Sequence, residues 1–199
     1  HPQVLHDGIA IVDSTISNGS KNLVYLASRR LVLMGSDIHG SEFHTIRIEH
    51  IAQGVISHCN IGGGHGSQHD LKIHAPEFNG GGLGNQKYTE EVVVTDCTFE
   101  PTDSVWSVSL GPQSESGNRD ERLRDFVFER NHFTAASPTQ RLMRASIQGA
   151  TVRNNIFDLT GGSFTKGDDI TKKNDEPQPR DWYVVNNTFY RADSGTFEA

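Results

Sequence analysis

One short pattern recurs six times along this chain of 199 residues. Each copy opens with an apolar, β-rich stretch, passes through polar or small residues to a Ser, Cys or Asn, and ends two residues later at an Ile or Phe. The last residues of the copies are Ile38, Ile61, Phe99, Phe133, Phe157 and Phe189. Their spacings are 23, 38, 34, 24 and 32 residues. Self-similarity at such a period is typical of stacked repeats, so the pattern predicts a solenoid in which the longer spacings are one coil plus an inserted loop.

The composition fits a solenoid better than a compact globule. Only 34% of residues are hydrophobic and 8% aromatic, while glycine is frequent at 20 residues. Each coil of a solenoid buries only a thin stripe of side chains against its neighbours. Alternating apolar residues at the start of each copy predict β-strands, so we expect an all-β chain.

The third-from-last residue of each copy is expected at a corner between strands. These residues are Ser36, Cys59, Cys97, Asn131, Asn155 and Asn187. Asn tolerates a left-handed bend, and stacked Asn amides can hydrogen-bond from coil to coil. Cys59 and Cys97 would fall on consecutive coils, where a disulfide is conceivable but two buried thiols are the expectation.

These Asn-rich corner stacks resemble the pectin-lyase-like superfamily of right-handed parallel β-helices, over about residues 22–190. The resemblance implies an all-β, single-stranded right-handed parallel β-helix, and a fold shared by lyases, hydrolases, epimerases and non-catalytic adhesins or tail proteins. We expect one domain over residues 1–199, forming a segment of a longer protein. Loop insertions are expected at about residues 62–69, 77–90, 111–124 and 172–181.

A second set of strands precedes the corner motifs, at residues 46–50, 70–74, 105–109, 142–146 and 168–172, with 23–26 opening the series. The expected inward residues are Ile48, Ile73, Val108, Ala145 and Ile170. Strand alternation then predicts one outward column of Arg47, Lys72, Ser107, Arg144 and Asp169. It predicts a second outward column of Glu49, His74, Ser109, Ser146 and Thr171. A one-residue slip would reverse any one strand.

The first column predicts a basic stripe on an otherwise acidic chain. Arginine binds carboxylates in a fork, so such a stripe suits a uronate-containing polysaccharide. β-Elimination of a uronate needs a cation that neutralises its carboxylate and a base for the adjacent proton. Lys72 or His74 is the candidate base, and Arg47 or Arg144 the candidate carboxylate ligand. The candidate substrate-binding residues are His50, Ser107, Ser109, Asp169, Lys172 and Tyr88, the last beside a glycine-rich loop.

Two alternatives to this function stay open. The stripe could be an ordinary solvated strand face of a non-catalytic scaffold, adhesin or tail-type glycan-binding protein. A polygalacturonase-like hydrolase is suggested by two short strings, at residues 64–66 and 167–169. Those strings stand in the reverse order of that family's pattern, and its Asn-Thr-Asp and Arg-x-Lys are missing. Trp106 is expected inside the coil rather than stacked on a sugar.

A metal is not required by these residues. Four of the ten histidines lie within residues 58–74, but their spacing matches no zinc pattern. Calcium, which some β-helix lyases use, has its candidate ligands in Asp70, Glu77, Asp168 and Asp169.

The net charge and the hydropathy of the chain restrict the classes of partner that we expect. The net charge of −7 argues against nucleic acid, and no apolar run approaches the ~18 residues of a membrane span. An acidic polysaccharide is therefore the expected partner, and the expected location is secreted or at the cell surface, with no signal segment in this chain.

Overall fold

The computed structural model describes residues 6–74, 88–102, 106–111, 122–136, 140–145, 147–159, 163–164 and 180–190. These residues form strands and turns, and no helix occurs among them. The strands are β1 His6–Val12, β2 Thr15–Gly19, β3 Val24–Met34, β4 Asp37–Ser41, β5 Ile46–Ser57, β6 Asn60–Ile61, β7 His69–His74, β8 Tyr88–Thr95, β9 Thr98–Phe99, β10 Trp106–Gly111, β11 Arg122–Glu129, β12 His132–Thr134, β13 Arg141–Ala145, β14 Gln148–Arg153, β15 Ile156–Asp158, β16 Ser163–Phe164, β17 Arg180–Val185 and β18 Thr188–Tyr190.

Every strand pairs in parallel with strands of the neighbouring coils, which gives three faces. The first face contains the beginnings of β3 and β5, then β7, β10, β13 and β16. The second contains β1, the ends of β3 and β5, then β8, β11, β14 and β17. The third contains β2, β4, β6, β9, β12, β15 and β18. Strand β5 turns the corner itself, since residues 46–48 pair with β7 and residues 54–57 with β8.

The terminal Ile and Phe of the repeat form a continuous internal stack on the third face. Ile38, Ile61 and Phe99 pair in register on successive coils, and all are fully buried. The ring of Phe133 lies 4.5 Å from that of Phe99 and 4.8 Å from that of Phe157, nearly parallel to both. The predicted coil lengths are therefore confirmed. The coils begin earlier than residue 22, because β1 and β2 add one whose Ile16 pairs with Ile38.

The corner residues form the predicted amide ladder. Asn131 donates from its backbone N–H and its side-chain amide to Oδ1 of Asn155, at 2.9 and 3.0 Å. Asn155 makes the same two bonds to Asn187, both at 2.9 Å. Each amide also donates to a backbone carbonyl, that of Val94 for Asn131 and that of Phe128 for Asn155. The ladder thus satisfies polar groups that the coils bury.

The left-handed bend lies one residue before the position we predicted. Positive φ angles of 52° to 61° occur at Gly35, His58, Asp96, Arg130, Asn154 and Asn186. The side chain of the ladder residue points inward to reach the next coil, so the residue directly before it makes the turn.

Both cysteines are buried free thiols, as expected. The Sγ atom of Cys59 lies 3.3 Å from the carbonyl oxygen of Ser57, and that of Cys97 lies 3.3 Å from the carbonyl oxygen of Thr95. They occupy the places that Asn takes in later coils.

Strands begin inside all four of the expected insertions, since β7 begins at His69. Tyr88 already belongs to β8, residues 122–124 to β11 and residues 180–181 to β17. The expected strand at 168–172, with Asp169, Ile170 and Thr171, lies outside the described residues, as does Ser146.

Candidate functional site

The registers of the first face align an outward row of residues on consecutive coils. Tyr25 pairs with Arg47, Arg47 with Lys72, Lys72 with Ser109, and Ser109 with Arg144. We call these five residues the basic row. The predicted alignment of Arg47, Lys72 and Arg144 is confirmed at the level of the backbone, and the side chain of Arg144 lies outside the described part of the structure. Their catalytic roles stay predictions.

Ser109, and not Ser107, belongs to this row. We had aligned Val108 with Ile73, whereas Leu110 pairs with Ile73 and Gly111 with His74. The prediction was two residues out of register on β10, an error that keeps the inward and outward alternation and so leaves no trace in the hydrophobic pattern. Ser107 lies further back along the strand, fully buried, where it accepts a hydrogen bond from the amide of Gln140 at 3.0 Å.

Arg47 is held by its own strand and by the preceding coil. Its Nε atom donates to Oε1 of Glu49 at 2.7 Å, and the two side chains are 18% and 8% exposed. Its guanidinium also lies 5.5 Å from the centre of the Tyr25 ring, within reach of a cation–π contact.

Lys72 reaches towards the next coil. Its ammonium donates to the hydroxyl of Ser109 at 3.0 Å. The lysine is partly exposed while the serine is fully buried, so the serine works as a fixed support for the ammonium. Two cations on adjacent coils, at Arg47 and Lys72, thus stand side by side on an acidic protein.

His74 lies two residues beyond Lys72 on β7, next to this pair. Its ring is almost wholly buried, and neither ring nitrogen has a hydrogen-bond partner of normal geometry among the described residues. Burial, together with the positive charges of Lys72 and Arg47, lowers the pKa of His74 to about 2. The imidazole is therefore neutral at any ordinary pH, as a proton acceptor must be.

His44 has a similar environment at the other end of this strip. Burial, with the charges of Lys72 and Arg47, lowers its pKa to about 3. Its Nδ1 atom accepts the backbone N–H of His69 at 3.0 Å, and the two rings meet edge to face at 4.9 Å. These two contacts with His69 give His44 a structural role.

His50 is held beneath the surface at the corner between the first and second faces. It is fully buried, and its Nδ1 atom lies 3.3 Å from the hydroxyl of Thr89, which donates to the backbone oxygen of His74 at 2.9 Å. We predicted His50 as a substrate-binding residue, but in this position it supports the backbone that carries His74.

Tyr88 opens β8 on the second face rather than overhanging the groove. The guanidinium of Arg124 lies over its ring at 3.9 Å, and Arg124 is in turn paired with Glu90. Trp106 points inward and is buried, as predicted, with the guanidinium of Arg141 at 4.6 Å from its ring.

Asp70, the candidate calcium ligand on β7, is fully buried. It accepts hydrogen bonds from the Gly64 N–H at 2.9 Å and from the Thr102 hydroxyl at 3.3 Å. Burial raises its pKa to about 8, so it is mostly an uncharged acid at neutral pH and a poor cation ligand. The described ranges contain no group of three or more His, Cys, Asp or Glu that could hold a metal. Glu77, Asp168, Asp169 and Lys172 lie outside those ranges.

A polar groove of about 730 Å³ runs along the corner between the third and first faces, beside Asp70. Its lining includes Gly40, Glu42, Gly64, His65 and Thr102. At its floor a Cβ on Gly63 would lie 2.3 Å from the backbone nitrogen of Gly40, so only glycine permits the coils to approach here. Of the two hydrolase-like strings, the one at residues 64–66 contributes Gly64 and His65 to the groove, and the one at 167–169 lies outside the described residues.

Two residues of the site were missed by the sequence reasoning. Tyr25, whose side chain is 47% exposed, extends the basic row by one coil. Glu49 had a place in the second column but no role, and it is the partner of Arg47. The sequence does indicate Tyr25, because the strand at 23–26 opens the series. Tyr25 occupies on this strand the position that Arg47 occupies on the next.

Comparisons with known proteins identify the fold. No curated protein and no solved structure matches the chain. The described residues include no helix with the length and apolarity needed to cross a membrane. A family model described as right handed beta helix region matches residues 3–195, nearly the whole sequence. Together with the parallel three-faced coil, this match shows that the chain belongs to the right-handed β-helix family.

Proposed function

We propose that the first face binds an acidic, uronate-containing polysaccharide and cleaves it by β-elimination. The observation that carries the proposal is the alignment of two cations on adjacent coils, Arg47 and Lys72, beside the neutral imidazole of His74, whose two ring nitrogens are buried. Cations and a neutral base are the two requirements of this reaction.

The binding half of the proposal rests on charge and shape. A carboxylate bridging Arg47 and Lys72 would meet a guanidinium and an ammonium on adjacent coils, which stack ~4.8 Å apart. The exposed ring of Tyr25 continues the row and offers an apolar face to a neighbouring sugar ring. A chain bound this way would run along the solenoid axis.

The chemical half follows from electrostatics. Burial, and after it the charges of Lys72 and Arg47, lowers the pKa of His74, and a bound carboxylate would offset only the charges. His74 therefore becomes a stronger base when a uronate is in place. It takes the proton from the carbon next to the carboxylate, the electrons of that C–H bond form the new double bond, and the glycosidic oxygen leaves and takes a proton from water.

The test is an assay for unsaturated ends by ultraviolet absorbance, on pectate, alginate and glycosaminoglycans, with and without added calcium. Lys72→Met is expected to raise KM by at least tenfold, because the carboxylate loses its point charge. Arg153→Met, an exposed cation on the second face, is the matched control and should leave KM unchanged. The absence of unsaturated product on all substrates would overturn β-elimination, and reducing ends without unsaturation would point to hydrolysis instead.

A second candidate is a non-catalytic glycan-binding scaffold. It is favoured by the burial of Ser109 and His74 and by the existing ion pair of Arg47 with Glu49, which leave Lys72 and Tyr25 as the more accessible members of the row among the side chains that the structure describes. It predicts saturable binding on a glycan array and no product. Either candidate places the protein outside the cell or on its surface, where such polysaccharides occur.

A further inference from the structure

The polar groove between the third and first faces crosses four successive coils, because its lining comes from the ends of β4, β6, β9 and β12 and the residues after them. Its volume of about 730 Å³ lies within the range of ~300–1,000 Å³ found for ligand sites. The described lining contains one carboxylate, that of Glu42, and neither lysine nor arginine. The groove therefore differs in charge from the basic row of the first face.

A buried polar network fixes the wall of this groove. Its members, each at most 1% exposed, are Asp70, Ser107 and Gln140. Asp70 accepts hydrogen bonds from the N–H of Gly64 and the hydroxyl of Thr102, and Ser107 also hydrogen-bonds to it. The amide of Gln140 donates to Ser107 at 3.0 Å, and its carbonyl oxygen accepts the N–H of Ala136. Three lining residues are thus held before any ligand arrives, which lowers the cost of binding.

Glu42 presents a carboxylate to this groove. The residue is exposed, and among the described residues its side chain has no hydrogen-bond or ion-pair partner. Its backbone N–H donates to the carbonyl oxygen of Gly19 at 2.9 Å, which fixes its place on the wall. A carboxylate in this position can accept hydrogen bonds from two neighbouring hydroxyls of one ligand.

Phe43 adds an apolar surface at the rim. It follows Glu42 directly and is 37% exposed. Its backbone oxygen accepts the N–H of His65 at 3.4 Å, and its ring packs edge to face on that of His44 at 4.9 Å. The exposed part of a ring held in this way can pack on the C–H face of a pyranose.

The charge of the lining restricts the class of ligand. A uronate here would meet the carboxylate of Glu42 with no lining cation to neutralise it, and like charges repel. Glu100, at the edge of the groove, adds a second carboxylate, which accepts the amide of Asn60 at 2.6 Å. The hydroxyls of a neutral sugar both donate and accept, so they match Glu42 and the imidazole of His65 without repulsion.

We propose that this groove is a second glycan site, which binds a neutral oligosaccharide of pyranose units. Glu42 accepts hydrogen bonds from adjacent hydroxyls, and Phe43 packs on one face of a sugar ring. Binding of a neutral sugar does not depend on the proposed cleavage of uronates, because it offers no carboxylate to Arg47 and Lys72.

The test is isothermal titration of the whole chain with neutral hexasaccharides of glucose, mannose, galactose and xylose, with no uronate present. At least one of them should bind at a single site. Glu42→Ala should weaken that binding by about tenfold or more, because charge-assisted hydrogen bonds are lost. Asp7→Ala, which removes an exposed carboxylate on the second face, is the matched control and should leave the binding unchanged.

Two further pairs of variants test the apolar contact and the location. Phe43→Ala should weaken binding several-fold, whereas Tyr183→Ala, which removes a 65% exposed ring on the second face, should not. Ala136→Leu adds bulk at the wall and should weaken binding, whereas Ala10→Leu, at another exposed alanine on the second face, should not. Melting temperatures establish that these variants fold.

Lys72→Met separates the two sites. It should leave neutral binding intact while it weakens binding of an acidic oligosaccharide. Loss of neutral binding in Lys72→Met would place the sugar on the first face and overturn the proposal. No binding of any of the four hexasaccharides, or binding that neither Glu42→Ala nor Ala136→Leu weakens, would also overturn it.

Discussion

The ammonium of Lys72 lies 3.0 Å from the hydroxyl oxygen of Ser109, 37 residues further along the chain. The bond joins two coils at the level of Arg47. It fixes a flexible side chain, which would otherwise lose rotamer entropy on binding a ligand. Ser109 therefore acts as a positioning residue of the proposed site, although it is too buried to touch a polysaccharide itself.

Ser109→Ala should weaken polysaccharide binding several-fold, because the ammonium of Lys72 loses its fixed position. The cost in the free energy of unfolding should be only about 1 kcal/mol. Isothermal titration with an acidic oligosaccharide measures the first quantity and urea unfolding the second. Ser28→Ala, which removes another fully buried and hydrogen-bonded serine, should cost similar stability and leave binding intact. Equal binding losses in the two variants would mean that Ser109 has no local role.

Asn155→Ala should destabilise the fold by about 3 kcal/mol. The substitution leaves the buried Asn131 N–H and the Phe128 carbonyl oxygen without their side-chain partner, and each orphaned group carries a desolvation cost. The Oδ1 atom of Asn187 keeps the backbone N–H of residue 155. The exposed neighbour Asn154, in the left-handed bend, is the control: Asn154→Ala should cost about 1 kcal/mol. Chemical denaturation compares the two. Equal losses of stability in the two variants would show that the amide ladder stabilises the fold no more than an exposed residue of the bend does.

Cys97→Asn should be tolerated or stabilising. Cys97 stands at a ladder position where later coils carry Asn, and its Sγ atom lies 3.6 Å from the backbone oxygen of Ile56. An amide there could donate to that oxygen, as Asn131 donates to Val94. The measurement is the melting temperature, with Cys97→Leu as the control of matched apolar character. A lower melting temperature for Asn than for Leu would contradict the ladder account.

Acid should destabilise the wild type relative to His74→Gln. The folded-state pKa of His74 is lowered to about 2, whereas an unfolded histidine titrates near ~6.5. Below pH ~6.5 the unfolded chain takes up a proton that the folded chain refuses, so stability falls as pH falls, by about 1.4 kcal/mol per pH unit per proton. Urea unfolding between pH ~4 and ~7 measures the difference. A gap between the two proteins that does not change with pH would show that His74 is not buried as described.

Asp70→Asn should have the opposite pH dependence. Burial raises the folded-state pKa of Asp70 to about 8, so the unfolded chain releases this proton above pH ~4 and the folded chain keeps it. Wild-type stability relative to the variant should fall as pH rises from ~4 to ~8, again by about 1.4 kcal/mol per pH unit. Asn can keep the bond from Gly64 and donate in turn to Thr102. A variant whose relative stability falls with rising pH would contradict the assignment.

The coil period and the ladder could be predicted because each coil must fill the same internal positions. Ile61, Phe99 and Phe133 predict the apolar stack, and Asn131 and Asn155 predict the amide ladder, whatever the length of the loops between them. The bend was placed one residue too late because the ladder residues beside it, such as Asn131 and Asn155, are also of a type that tolerates a left-handed bend, so residue type does not separate the two positions.

The site was harder to predict than the fold. The period-two pattern fixes which side chains point outward. It does not detect a slip of one strand by two residues, which is why Ser107 was aligned in the place of Ser109. Burial at a corner also depends on three coils at once, so the enclosure of His50 under Thr89 could not be inferred from β5 alone.

His74→Gln removes the proposed base of the elimination reaction on the first face. Turnover of an acidic polysaccharide and binding of the same polymer are measured on the wild type and the variant. We expect kcat for unsaturated product to fall by at least about a hundredfold, while affinity stays within a few-fold because Arg47 and Lys72 remain. Turnover at the wild-type rate in His74→Gln would contradict it.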